Sequence, residues 1–169
     1  DVLFGDANPS GKLTMTFPRN VGQIPIYYNA KNTGRPFDPT DKYTSKYLDV
    51  ANTPLYPFGH GLSYNSYQYS NLAIDKLVMH SNEKLNVSVD VRNEGTNAGE
   101  EIVQLYIRDL VGTVTRPVKE LKAFRKIKLK PGEQVKVTFE LSQEDIAFYN
   151  AELKWVVEPG EFEVFVGRS

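Results

Sequence analysis

The chain has 169 residues, enough for about one domain or one domain with a substantial extra segment. Hydrophobic residues make up 40% and charged residues 24%, so the chain as a whole does not read as disordered. Lys plus Arg number 20 against 21 Asp plus Glu, and this balance of signs argues against a general nucleic-acid or membrane-surface binder. No apolar run reaches the roughly 20 residues of a membrane-spanning helix, and the absence of cysteine removes disulfides, thiolate metal sites and cysteine nucleophiles.

The chain opens on Asp1 and runs at once into Val2, Leu3 and Phe4, the pattern of a core strand rather than of a natural terminus. A piece of a longer protein is therefore expected. Seven of the ten prolines and eight of the ten tyrosines fall before residue 72. Prolines at that spacing interrupt helices and central strands, so only Val2–Gly5, Leu13–Phe17 and Ile24–Tyr28 are expected to be regular there. Residues 29–56 read as a long irregular segment, with turn chemistry at Asn32-Thr33-Gly34 and Asp38-Pro39. It is too aromatic for a flexible linker. Tyrosine suits a position packed on one side and wet on the other, so the segment is expected to lie over a surface.

From residue 72 the pattern changes to alternation with period two. Leu85, Val87, Val89 and Val91 alternate with polar residues, as do Val135, Val137, Phe139 and Leu141. Val103, Leu105 and Ile107 face inward on this reading, with Gln104, Tyr106 and Arg108 outward. Leu121, Phe124, Ile127 and Leu129 follow with an irregularity that predicts a bulge. Phe162, Val164 and Val166 close the series. Turns are expected at Asn93-Glu94-Gly95, Lys130-Pro131-Gly132 and Glu158-Pro159-Gly160. Ser142 with Asp145 three residues on predicts a short capped helical turn. With Leu72–Met79 and Asp145–Val157 counted as strand regions, about seven strands without intervening helices predict an all-β antiparallel sandwich of immunoglobulin or fibronectin type III-like form.

The same segments carry a family resemblance. Val91–Gly95 (VRNEG), Gly99–Arg108 (GEEIVQLYIR), Arg116–Phe124 (RPVKELKAF), Leu129–Glu133 (LKPGE) and Glu158–Gly167 (EPGEFEVFVG) resemble the fibronectin type III-like domain at the C-terminus of glycoside hydrolase family 3 enzymes. Tyr56–Tyr64 (YPFGHGLSY) resembles the stretch that precedes this domain, and Leu3–Leu13 (LFGDANPSGKL) the end of the family's α/β sandwich domain, in the family's order. The resemblance implies three parts. Residues 1–30 would be the remnant of the α/β sandwich domain, residues 31–71 an irregular connector, and residues 72–169 the fibronectin type III-like domain. It also implies a parent that hydrolyses terminal β-glycosidic bonds with retention, of the bacterial β-glucosidase or β-xylosidase type, periplasmic or secreted. The partners implied are the upstream catalytic domains of the same enzyme and an oligosaccharide or β-glucoside substrate, with no nucleic acid, membrane or cofactor. The family's nucleophile lies in an N-terminal barrel and its acid/base upstream of Asp1, so neither is carried over. The isolated chain is expected to be inactive.

The residues present offer few other chemical constellations. A retaining glycosidase needs two carboxyl groups about 5–5.5 Å apart, yet Asp90, Glu140, Glu161 and Glu163 read as the wet faces of strands and Glu94, Glu133 and Glu158 as turn residues. Glu100 and Glu101 near Asn93 and Asn97 have the chemistry of a hard-cation site, although hairpin ends gather such residues without a metal. His60 and His80 lack partners at metal-ligand spacing. Lys31, Arg35, Tyr43 and Tyr47, with Tyr27 and Tyr28, form a basic and aromatic cluster suited to stacking on sugars. These residues are expected either to border the substrate mouth of the parent or to pack against its other domains. The competing reading is a free-standing immunoglobulin-like binding or adhesion module, with carbohydrate binding as a variant. Its aromatic candidates are Tyr106, Phe165 and Trp155, of which Trp155 is expected in the core.

Overall fold

A computed structural model describes residues 1–169. Eight strands form two three-stranded antiparallel sheets and one small hairpin. The first sheet has the order β1-β2-β5, with β1 at Tyr67–Ile74, β2 at Leu85–Asn93 and β5 at Gln134–Leu141. The second has the order β4-β3-β8, with β3 at Gly99–Asp109, β4 at Glu120–Leu129 and β8 at Phe162–Gly167. Strands β6 (Phe148–Tyr149) and β7 (Trp155–Val156) make the hairpin, which follows the one-turn helix α1 (Gln143–Ile146). This is the expected all-β sandwich.

Most of the core is what the alternation predicted, although Val135, expected inward with Val137, Phe139 and Leu141, is exposed near the start of β5. Val87, Val89 and Val91 of β2 meet Val103, Leu105 and Ile107 of β3, with Leu129, Val137, Phe139 and Leu141 closing the layer. Each such side chain contributes about 1.5–3 kcal/mol by leaving water. Asn93 is buried at the end of β2, and its Oδ1 accepts the Gly95 N–H at 2.9 Å, which makes the expected turn. The Glu133 carboxylate accepts the Lys130 N–H at 2.7 Å in the next. The capped turn also forms: the Ser142 N–H donates to the Asp145 carboxylate at 2.7 Å.

Four local expectations are corrected. The strand placed at Leu72–Met79 lies at Tyr67–Ile74, because Tyr67 and Tyr69 pack their rings on the core. It ends where the Asp75 carboxylate takes both the Asn86 N–H (2.9 Å) and the Asn86 side-chain amide (2.8 Å). Val2–Gly5, Leu13–Phe17 and Ile24–Tyr28 are not strands; before β1 the chain holds one 3-10 turn, Val21–Gln23, and isolated pairings. Those stretches have no strand beside them to complete a ladder. Phe124 is exposed, because β4 slips one residue opposite Leu105 and Tyr106 and sets Phe124 on the outer face across from Gln104. Asp145–Val157 divides into α1, β6 and β7, and Trp155 is exposed rather than in the core.

The largest departure concerns β3. Gln104 and Tyr106, expected on a wet face, are only 3% and 2% exposed. Residues before β1 cover β3 on the outer face of the second sheet, so this antiparallel strand is buried on both sides. A covered second face is foreign to a free-standing sandwich with one wet surface.

Candidate functional site

The covering segment is fixed to β3 by short polar contacts between partly or fully buried groups. Gly59 adopts φ +80, and a side chain there would run into the Gln104 amide and the Tyr106 hydroxyl. Its carbonyl accepts the Gln104 side-chain amide at 3.2 Å, and that amide also donates to the Arg168 carbonyl at 2.7 Å. The Tyr106 hydroxyl donates to Gln104 Oε1 at 2.5 Å, so both buried polar groups are satisfied. Burial, with the nearby Tyr28 phenol second, pushes the Tyr106 phenol up to about 12. Tyr28 stacks on Phe58 with centroids 4.1 Å apart and meets Tyr106 edge-on at 6.1 Å.

A second tie lies one turn of chain away. Lys12 reaches Glu101 at 2.8 Å, with both side chains largely withdrawn from water. Glu101 Oε1 also accepts the Ile102 N–H at 2.9 Å. Ser10 donates to Glu100 at 3.3 Å, and Lys126 pairs with the same carboxylate at 2.6 Å. The Lys126 hydrogen bond leads the causes that hold Glu100 below the usual carboxylate range. Leu13 exchanges backbone hydrogen bonds of 2.8 Å with His60 and Gly59. Thus Glu100 and Glu101, weighed from sequence as cation ligands, are engaged by lysines. No three His, Asp or Glu side chains are grouped closely enough to share a metal.

Several large apolar side chains before β1 are open to water. Leu3, Phe4, Val21, Ile24 and Leu48 are exposed, Leu48 to 97%. Exposed apolar side chains in that number suit an interface. The residues singled out from sequence do not all come together. Arg35 and Tyr43 line one open depression of about 540 Å³, together with Asp38, Asp41 and Thr44. Tyr47 lies outside that lining, with its backbone N–H on Asn52 Oδ1 at 3.1 Å. Lys31 is not with them either, since its backbone pairs with Pro117 beside the sandwich. The two aspartates serve the backbone. Asp38 Oδ1 accepts the Thr40 hydroxyl (2.6 Å) and N–H (2.8 Å), which hold its carboxyl below the usual range, and Asp41 accepts the Tyr43 N–H at 2.8 Å. A carboxyl stabilised in its ionised form is a poor general acid near neutrality. The predicted Asn32 turn is present, with the Gly34 N–H on Asn32 Oδ1 at 3.0 Å.

Sequence reasoning missed Asp38 and Asp41 as lining groups and Gln104 and Tyr106 as sealed ones. The Asp38-Pro39-Thr40-Asp41 spacing signalled the first pair through its turn chemistry. For the second pair the available signal was composition: glutamine and tyrosine between β-branched neighbours are compatible with burial as well as with water.

Comparison with known proteins adds the wider context. Residues 1–64 match the model of the glycosyl hydrolase family 3 C-terminal domain, and residues 101–169 that of the fibronectin type III-like domain. The chain is 50% identical over 169 residues to a periplasmic β-glucosidase of Salmonella typhimurium, covering 99% of this chain and 22% of that protein. It is 45% identical to a β-xylosidase of Formosa agariphila, covering all of this chain and 23% of the relative. The crystal structure of a Listeria innocua β-glucosidase in complex with gluconolactone superposes with a TM-score of 0.93 at 48% identity, over 100% of this chain and 24% of that one. The chain thus spans less than a quarter of the length of these relatives.

Proposed function

Since the chain belongs to glycoside hydrolase family 3 and corresponds to the C-terminal region of its β-glucosidases, we propose that it buttresses the catalytic domains of an enzyme that hydrolyses terminal β-glycosidic bonds with retention. It is an accessory part of a glycosidase. The three-part division at 1–30, 31–71 and 72–169 belongs to the same reading: a remnant of the α/β domain, a connector and the fibronectin type III-like sandwich.

One observation carries the reading. The segment matching the family 3 domain is clamped to the sandwich and leaves Leu3, Phe4, Val21, Ile24 and Leu48 exposed. A free-standing adhesion module has no use for so many exposed apolar side chains, whereas a strap between a sandwich and a catalytic body requires them. Retaining hydrolysis needs a nucleophilic carboxylate and an acid/base. The carboxylates described above serve turns and lysine pairs, so the chemistry belongs to the upstream domains. The isolated chain is therefore expected to release no nitrophenol from an aryl β-glucoside; release above the uncatalysed rate overturns the reading.

We further propose that Arg35, Tyr43 and Tyr47, with Lys31 at the base of the same connector, border the substrate mouth of the whole enzyme. Exposed tyrosines beside a guanidinium support this, because aromatic faces stack on sugar rings. Alanine at Tyr43 and Tyr47 in the full-length enzyme should raise KM; an unchanged KM with intact folding removes the proposal. An extracytoplasmic location, periplasmic or secreted, completes the reading, and its support is the Salmonella relative, a periplasmic β-glucosidase.

A further inference from the structure

The β6–β7 hairpin carries aromatic surface that the buttressing role leaves unused. In the short β6–β7 hairpin Phe148 is buried, beneath the Arg116 guanidinium 4.2 Å from its ring centroid. Side chains alternate along a strand, so the next residue, Tyr149, faces outward. Trp155 is its register partner on β7 and shares that face. The two ring centroids are 4.9 Å apart with planes inclined at 58°. Tyr149 is 62% exposed and Trp155 51%. The indole N–H donates to Glu144 Oε2 at 3.2 Å, which fixes the ring's orientation from α1.

A second, independent feature adjoins this pair. A depression of about 210 Å³ is lined by Asn82, Glu83, Lys84, Ser142, Gln143 and Glu144, with no apolar side chain. Glu144 belongs both to this depression and to the aromatic surface. The Gln143 side-chain oxygen accepts the Asn82 N–H at 3.1 Å, which leaves the Gln143 NH2 group for a ligand. Lys84 and Glu83 are held by Glu140 and Lys76 at 2.6 and 3.1 Å, so they rim the depression without a free charge.

The geometry points to a saccharide-binding site in which Tyr149 and Trp155 stack on the CH faces of a β-linked glucan or xylan oligosaccharide while Glu144, Gln143 and Asn82 bond the hydroxyls of the adjoining unit. A pyranose offers this combination, apolar on its faces and hydroxylated at its edges. A protein partner would need apolar surface on the Glu144 side of the two rings as well; there they border a wholly polar hollow. Two inclined rings also match successive sugar units of a twisted chain better than one flat hydrophobic plug. The choice of β-linked glucose or xylose rests on the glycosidase reading above. The site itself rests on the geometry alone, and the binding test below requires no turnover, so the two can fail separately. Held on the sandwich, a polymer would stay at high effective concentration near the catalytic domains.

Trp155 is the chain's only tryptophan, so its emission reports this site alone. The experiment titrates the folded chain, verified by a cooperative melt, with cellohexaose, laminarihexaose and xylohexaose up to about 10 mM, the range of weak sugar affinities. A saturable blue shift is expected with at least one of them. Tyr149→Ala, which keeps the fluorophore, should weaken binding at least about tenfold, and Tyr149→Phe should stay within about twofold. No shift with any hexasaccharide, an unchanged response in Tyr149→Ala, or an equal response to α-linked maltohexaose overturns the proposal. A shift that depends on protein concentration without sugar would make a second copy of the chain the occupant and would overturn it as well.

Discussion

Replacing Lys12 by Met tests whether the segment before β1 is part of the sandwich's own stability. Lys12 and Glu101 are 11% and 4% exposed and 2.8 Å apart. Removing one partner of a buried pair leaves the other charge without compensation, which costs about 3–5 kcal/mol. Glu101 keeps the Ile102 N–H at 2.9 Å, and the ammonium end retains a little water, so the lower end of that range applies. For a chain of this size about 3 kcal/mol corresponds to a fall in Tm of about 6–12 °C. The double variant K12M/E101L removes both charges and should recover part of the loss, since apolar replacements of buried pairs are close to neutral, while the Ile102 N–H, deprived of its acceptor, still costs about 1 kcal/mol or more. Denaturant unfolding and thermal melts of the four proteins in the cycle give the coupling directly. Limited proteolysis adds a local readout: Lys12→Met should lose its first residues to protease while the sandwich survives. A Lys12→Met loss under about 1 kcal/mol, the value of an exposed ion pair, would refute the argument that these residues are clamped.

Three further outcomes follow from the same geometry. Gly59→Ala should cost at least about 1–2 kcal/mol from its left-handed backbone alone, with an added loss from displacing Gln104 and Tyr106; an unchanged denaturation midpoint would contradict the close approach. Tyr106 is pushed up to about 12, and Tyr69 is raised further by burial first and by the Glu101 carboxylate second. Unfolded tyrosines ionise near pH 10, so the unfolded chain releases these protons first. The stability they contribute is complete below about pH 10 and is lost as pH rises toward about 12; circular dichroism across that window checks it, and Tyr106→Phe should flatten the slope. Asp75 is held below the usual carboxylate range first by the Asn86 N–H and then by its side-chain amide. Its contribution is present above the ordinary carboxylate range and fades as pH falls through the lowered value. Asn86→Ala, which keeps the backbone donor, should move the Asp75 midpoint only part of the way back in an NMR carboxyl titration, and no movement would count against the side-chain bond.

The residues that alternate over a single hydrophobic layer were legible in the sequence. Val87, Val89 and Val91 could point nowhere but inward, because period two leaves one face for the core. Local polar signals were legible too: Ser142 with Asp145, and Asn93 with Gly95, act over three residues or fewer. What depended on distant chain was not. Gln104 and Tyr106 alternate like surface residues, and only the return of Gly59 across the strand buries them. The shift of β1 to Tyr67 came from tyrosines that read as connector until a neighbouring strand took their rings. Trp155 was assigned to the core by its size, yet a hairpin of two-residue strands has too little depth to enclose an indole. Of the proposed connector site, Arg35 and Tyr43 share one hollow, while Tyr47 and Lys31 lie outside it, because the Asp38 and Asp41 turns fold the chain back between them.

The burial of β3 on both faces has a consequence for how such proteins recombine. A sandwich whose outer side is sealed by preceding residues is not an interchangeable cassette. A graft joined just ahead of Tyr67 would deliver eight strands with an unsealed flank, Gln104 and Tyr106 suddenly wet and Glu101 without its cation. Swaps between homologous hydrolases should therefore succeed when the crossover falls before the donor's own Asn8–Leu13 stretch, so that host and guest never have to share one seam.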